Sequence, residues 1–76
     1  MFFRMKIVKA TDLSVETYIT KSESVSDALT TFAKADNLSL SKETPYYEEE
    51  KDKIVFDRIT KNEFIEIKTY AGTIVL

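Results

Sequence analysis

The sequence predicts a small α+β domain, in which a mainly antiparallel sheet of four or five strands carries one helix on one face. Only the segment 24–37 spaces its apolar residues as one face of a helix does, whereas the other apolar segments alternate with a period of two. The 76-residue chain contains one Gly and one Pro, which predicts that most of it is regular structure. A chain of this length accommodates a single domain, spanning 1–76.

Two strands are predicted in the first part of the chain, over 2–9 and 13–21, joined by a turn at Thr11–Asp12 and therefore antiparallel. Alternation separates each strand into two faces. The faces predicted to meet the helix contain Phe3, Met5, Ile7, Val15 and Ile19.

The helix is predicted to begin after Ser24, whose hydroxyl can cap the first turn, and to end at Asn37. Asp27 adds negative charge near the positive end of the helix dipole. The predicted apolar stripe consists of Val25, Ala28, Leu29, Phe32 and Ala33.

The second half of the chain begins with an irregular segment, 39–52, where Pro45 excludes a central strand and 46–48 could form a short edge strand. Three strands are then predicted, over 53–60, 63–70 and 73–76, with turns at Lys61–Asn62 and Ala71–Gly72. Ile65 and Ile67 are predicted to lie together on the face that meets the helix. The predicted order is β-β-α-loop-β-β-β.

The opening hairpin followed by a crossing helix resembles the first half of a β-grasp domain, as found in ubiquitin-like folds. The resemblance is one of element order and covers about half of the chain. The chain ends Thr-Ile-Val-Leu, without the terminal Gly-Gly of the conjugating members, so the resemblance implies no function and no site residues.

The composition argues against an enzyme. With no His and no Cys, the usual general base, thiol nucleophile and zinc ligands are missing, and no Gly-rich phosphate loop is present. The acidic residues 48–50 and Asp52 lack the alternating ligands and the Gly of a calcium loop. We therefore expect no catalytic residue, no cofactor and no metal.

Charge and hydropathy argue against two classes of partner, duplex nucleic acid and a membrane. The net charge is −2, from 11 basic and 13 acidic residues, which is not the basic footprint of a duplex-DNA binder. No apolar run is long enough to span a membrane, and the basic residues within 1–9 do not fit a signal peptide. These features predict a cytoplasmic protein with no membrane partner.

The first candidate interaction site is a loop in which two tyrosines precede a run of carboxylates. Aromatic contact area beside negative charge suits a protein partner with a basic surface. The alternative is that a tyrosine packs under the loop while the glutamates face solvent. The residues are Tyr46, Tyr47, Glu48, Glu49 and Glu50.

The second candidate is the sheet face opposite the predicted helix, where aromatic and cationic side chains alternate outward. Such a face can stack single-stranded bases. It could instead be covered by the long loop or by a second copy of the chain in a homodimer. The residues are Phe2, Arg4, Lys6, Tyr18, Phe64, Lys68 and Tyr70.

These observations together favour a small non-enzymatic module that binds a protein partner through the acidic tyrosine loop, the open sheet face or both. The alternative is a single-stranded nucleic-acid-binding module that uses the open sheet face. A composition rich in Lys, Ile and Glu is compatible with a bacterial or phage-encoded accessory protein.

Overall fold

The computed structural model of the chain describes residues 1–10, 12–40 and 53–76. These residues form a mixed four-stranded sheet and two helices, so the α+β class is as predicted, but there is a second helix and the sheet is not wholly antiparallel. In chain order the elements are β1 (Phe2–Val8), β2 (Val15–Lys21), α1 (Val25–Leu40), β3 (Lys53–Ile59), α2 (Lys61–Lys68) and β4 (Thr73–Val75).

The sheet has the strand order β3-β1-β2-β4. β1 is antiparallel to both of its neighbours, and its central residue Met5 lies between Tyr18 of β2 and Phe56 of β3. β4 pairs in parallel with β2, beginning with Thr73 opposite Thr17. The predicted edge strand at 46–48 lies outside the described residues.

Helix α1 covers one side of the sheet, which we call the α1 face and which carries Phe3, Met5 and Ile7. All three are at most 4% exposed, as the alternation of β1 predicts. The Ser24 hydroxyl accepts a hydrogen bond from the Asp27 amide at 3.1 Å, which confirms the predicted N-terminal cap. The helix continues past the predicted end to Leu40.

The buried stripe of α1 differs from the predicted one. Ala28, Phe32 and Ala35 are buried, whereas Val25, Leu29 and Ala33 are exposed. The helix is therefore rotated so that the i, i+4, i+7 row meets the sheet. Phe32 contacts Phe56 edge-to-face at a centroid distance of 5.7 Å, and Phe56 in turn stacks on Phe3 at 5.6 Å.

The strand predicted over 63–70 is wrong, because this part of the chain contains helix α2. Thr60 and Glu63 form a complete capping box: the Thr60 hydroxyl accepts from the Glu63 amide at 3.1 Å, and the Glu63 carboxylate accepts from the Thr60 amide at 3.2 Å. The helix packs on the side of the sheet opposite α1, which we call the α2 face. Its buried contact is Ile67, which joins Ile19 and Ile59 in a second apolar cluster.

The predicted orientation of β2 is also wrong. Its side chains alternate as expected, but the pairing of Tyr18 with Met5 places Tyr18 on the α1 face and puts Val15 and Ile19 on the α2 face. The turn before β2 also moves the start of the strand. Asp12 accepts the Ser14 amide at 2.9 Å, and Leu13 takes a left-handed φ of 60°, so the strand begins at Val15 and not at Leu13.

The predicted C-terminal meander is replaced by a crossover. Because α2 returns the chain to the end of the sheet where β3 began, β4 runs in the same direction as β3 and pairs in parallel with β2. Gly72, at φ 85°, occupies the tight turn between Tyr70 and Thr73, a conformation that favours glycine. Leu76 extends the pairing, since its amide donates to the Ile19 carbonyl at 3.0 Å.

Candidate functional site

The α2 face is arranged in rows of side chains that run across the strands. Arg4 lies between Asp57 of β3 and Ile19 of β2, and Lys6 lies between Val55 and Thr17. Directly paired residues in a sheet point to the same side, so each row presents its members together. The α2 face therefore combines cationic, acidic and aliphatic groups.

Helix α2 covers only one half of this face. Ile67 packs on Ile19 and Ile59, and Phe64 contacts Phe2 at a ring-centroid distance of 4.8 Å. An eight-residue helix is about 12 Å long and cannot reach both ends of the seven-residue strands. The row of Lys6 and the row beyond it remain uncovered by the described helices.

Arg4 and Asp57 form a bidentate ion pair beside this covered half. The Arg4 Nε donates to one carboxylate oxygen of Asp57 at 3.0 Å, and Nη2 donates to the other. The hydrogen bond that Arg4 donates to Asp57 is the largest cause of a raised pKa of Arg4, and it stabilises the charged guanidinium. The Arg4 charge is consequently neutralised within the sheet and is not free for a ligand.

A cleft of about 250 Å³ opens between the uncovered rows and the segment that leads from α2 to β4. Its floor comes from β1 and β2 and its wall from Ile67 and the turn that follows α2. Lys6 makes no ion pair with any described residue. The lining residues are Arg4, Lys6, Val15, Thr17, Ile67, Tyr70, Ala71, Gly72 and Thr73.

Tyr70 forms part of the cleft wall, and a hydrogen bond to helix α2 positions it. Its hydroxyl donates to the Glu66 carboxylate at 2.7 Å, and this hydrogen bond raises the pKa of Tyr70. Tyr70 is 53% exposed, so its ring presents apolar area toward solvent. The contact positions an aromatic side chain in the cleft that Lys6 also lines.

Two valines flank the cleft on its open side. Val15 is 55% exposed and Val55 is 43% exposed. Both lie on the α2 face, Val55 directly opposite Lys6 and Val15 opposite Val8. We call the surface made by Lys6, Val15, Thr17 and Val55 the open patch.

The structure separates the residues predicted for the open sheet face. Arg4 and Lys6 lie on the α2 face, and Phe2 lies there too but packs under Phe64. Tyr18 is 3% exposed on the α1 face and donates to Glu16 at 3.0 Å. Lys68 ends α2, and Tyr70 follows it. The predicted acidic loop, Tyr46, Tyr47, Glu48, Glu49 and Glu50, lies outside the described residues.

Sequence reasoning missed three members of the surface: Thr17, Val55 and Val15, the last of which was predicted to face the helix. These residues can be assigned to the surface only from the pairing register of the strands. Placing Lys6 opposite both Val55 and Thr17 requires knowing that β1 is the central strand between β2 and β3. Alternation within one strand does not contain that information.

Two common kinds of site are absent from the described ranges. Among residues 1–10, 12–40 and 53–76, no three acidic side chains are close enough to hold a metal ion. In the same ranges no helix has the length and hydropathy needed to cross a membrane.

No protein-family model matches this chain, and the searches of curated proteins and of solved structures return no match either.

Proposed function

We propose that this chain is a non-enzymatic protein-binding module, and that it binds an acidic segment of a partner on the open patch and in the adjoining cleft. The observation that carries the proposal is the placement of Lys6. Its ammonium group has no ion-pair partner among the described residues and lies in a row with an exposed valine, at the floor of a cleft. A cation surrounded by exposed aliphatic groups fits a carboxylate next to an apolar side chain.

The cleft supports binding better than catalysis. Its one guanidinium is occupied by Asp57, and its remaining polar side chains are an ammonium group and hydroxyls. General acid–base catalysis needs a group with a pKa near the working pH, which His or a paired carboxylate would supply, and neither lines the cleft. The proposed module holds its partner without a chemical step.

The packing of the aromatic residues favours a protein partner over single-stranded nucleic acid. Base stacking needs exposed ring faces on the sheet. Phe2 and Phe64 pack against each other, and Tyr18 is buried on the opposite face. Among the aromatic residues predicted for this face, Tyr70 alone keeps half of its surface exposed. Nucleic-acid binding is therefore an outcome of the test below and not a second proposal.

The test is selection of peptides from a random library displayed on phage, with the purified chain as target. We expect enriched peptides to contain Asp or Glu next to aliphatic or aromatic residues. Synthetic versions of these peptides should bind Lys6→Glu at least about tenfold more weakly, because the substitution places like charges together. Val15→Asp should weaken binding in the same direction.

Lys61→Glu is the matched control, because it changes the net charge by the same amount at an exposed position on the first turn of α2, outside the cleft. It should leave peptide affinity unchanged. Equal binding to Lys6→Glu and wild type would overturn the proposal. So would a labelled poly-dT oligonucleotide that binds in low salt and depends on Lys6, since this result assigns the patch to nucleic acid.

A further inference from the structure

Strand β3 forms one edge of the sheet among the described residues, and it is long and regular. Within the described residues it pairs with β1 alone, over all seven positions and in continuous register. It contains no Pro and no bulge, which are common devices that prevent an edge strand from pairing further. The opposite edge, β4, has three residues and offers little backbone to pair with.

The exposed side chains of β3 also indicate an incomplete edge. Ile54 is 49% exposed and projects on the α1 face, and Val55 is 43% exposed and projects on the α2 face. Exposed β-branched residues on both sides of one edge strand lose solvent contact when a further strand is added. An added strand also satisfies the outward amide and carbonyl groups.

The sequence of β3 is complementary to itself in one antiparallel register. When two copies pair with Val55 opposite its own counterpart, Lys53 lies opposite Asp57, and Ile54 lies opposite Phe56. Each opposing pair then shares a face, with opposite charges together and apolar groups together, which stabilises a sheet.

The neighbouring registers are less favourable. Centring the pairing on Phe56 places Ile54 opposite Arg58 and Val55 opposite Asp57. Centring it on Asp57 places two carboxylates opposite each other, which is destabilising. Sliding one strand by a single residue would place Val55 opposite Phe56 of the other copy and bring side chains of opposite faces together. The register about Val55 is thus the one that the side chains favour.

We propose that two copies of this chain associate through antiparallel pairing of their β3 strands about Val55, which joins two four-stranded sheets into one of eight strands. An isologous contact has two-fold symmetry. Because the two β3 strands are antiparallel neighbours, the axis is perpendicular to the sheet. The ion pair of Asp57 with Arg4 does not prevent this contact. The Asp57 side chain is 37% exposed, and its carboxylate can accept a further hydrogen bond from the ammonium group of Lys53 in the other copy.

The dimer has a consequence for the surface described above. An axis perpendicular to the sheet leaves both α2 faces on the same side of the assembly, with the β1 strands of the two copies separated by the two β3 strands. The two Lys6 side chains then face the same direction, and one partner with two acidic segments can contact both.

The experiment measures molecular mass in solution by sedimentation equilibrium over a range of concentrations. The wild-type chain should show a monomer–dimer equilibrium. Val55→Lys should weaken dimerisation at least about tenfold, because it places two ammonium groups at the symmetry axis. Val15→Lys is the matched control, since Val15 is on the same face and is 55% exposed but lies on β2 away from the edge. It should dimerise as the wild type does.

A cysteine cross-link tests the register directly, because the natural chain has no Cys. Val55→Cys should oxidise to a disulfide-linked dimer, since directly opposed Cβ atoms lie about 5 Å apart in a sheet. Val15→Cys should form no disulfide-linked dimer under the same conditions, because Val15 lies on β2 away from the pairing edge. A wild-type mass that remains monomeric at every concentration would overturn the proposal, as would a dimer that Val55→Lys leaves intact. Neither result bears on Lys6-dependent peptide binding, which is measured separately.

Discussion

The two faces of this sheet differ in how completely a helix covers them. On the α1 face a 16-residue helix spans about 24 Å, and every inward residue of β1 beneath it is nearly inaccessible. On the α2 face an eight-residue helix covers Phe2, Ile19 and Ile59 and leaves the row of Lys6 open. The shorter helix thus divides the second face into a structural half and an exposed half, and Arg4, Asp57 and Lys6 lie at and beyond the division.

The handedness of the crossovers explains why the helices lie on opposite faces. The connection from β2 through α1 to β3 moves across the sheet in one direction, and the connection from β3 through α2 to β4 moves back in the other. Both join parallel strands, and such crossovers are almost always right-handed. The second connection crosses the sheet in the opposite direction, so a right-handed crossover places α2 on the face opposite α1.

The largest expected effect of a substitution is on the fully covered face. Phe32→Ala should lower the free energy of unfolding by about 3–5 kcal/mol, because Phe32 is 1% exposed and its ring contacts Phe56. This is comparable to the total stability of a small domain. Urea denaturation followed by circular dichroism measures it, and Phe32→Leu gives a folded intermediate case if the Ala variant does not fold.

Leu29→Ala is the control on the same helix. Leu29 is 48% exposed, so its truncation should cost about 1 kcal/mol or less. Equal losses at the two positions would contradict the rotated stripe of α1 and would instead fit the stripe predicted from the sequence.

A smaller effect is expected on the partly covered face. Ile67→Ala should lower the free energy of unfolding by about 2 kcal/mol, at the low end for a buried Ile, because its cluster contains three buried residues and lies under a short helix. Ile65→Ala should change it by about 0.5 kcal/mol or less, because Ile65 is 53% exposed.

This pair of variants also distinguishes a helix from a strand at this position. Residues two apart lie on the same side of a strand but on nearly opposite sides of a helix. Similar losses for both isoleucines would therefore contradict α2. Denaturant unfolding of the two variants under identical conditions supplies the comparison.

The two helices also differ in how clearly the sequence indicates them. The cap at Ser24 and the long apolar stripe make α1 recognisable, although the stripe alone does not fix the rotation of the helix. In α2 the apolar residues Phe64, Ile65 and Ile67 fit a strand and a short helix equally well. The decisive local signal was the spacing of Thr60 and Glu63, which matches a capping box and predicts a helix start.

The site could be predicted less completely than the fold, because it depends on pairing between distant strands. The alternation of β1 places Arg4 and Lys6 on the face away from α1, and this is what the structure has. The orientation of Tyr18 depends on the register between β1 and β2. The ion pair of Arg4 joins residues 53 positions apart, and nothing in the local sequence of either residue indicates it.

The smallest expected effect concerns the wall of the cleft, where Tyr70 donates a hydrogen bond to Glu66. This bond raises the pKa of Tyr70 above its ordinary value of 10.0. Because the pKa is higher in the folded state than in the unfolded state, the contact stabilises the fold fully below about pH 10. This contribution disappears as the pH rises through the folded-state pKa.

Glu66→Ala should therefore let Tyr70 ionise at a lower pH. NMR of ¹³C-labelled tyrosine measures this titration, and the spectrum of Tyr70→Phe identifies the Tyr70 signal. Glu23→Ala removes an equal charge from an exposed position and should leave the titration unchanged. If Tyr70 titrates identically in the wild type, Glu66→Ala and Glu23→Ala, the hydrogen bond to Glu66 does not position Tyr70. The shape of the cleft wall then depends on Ile67 and the turn at Gly72.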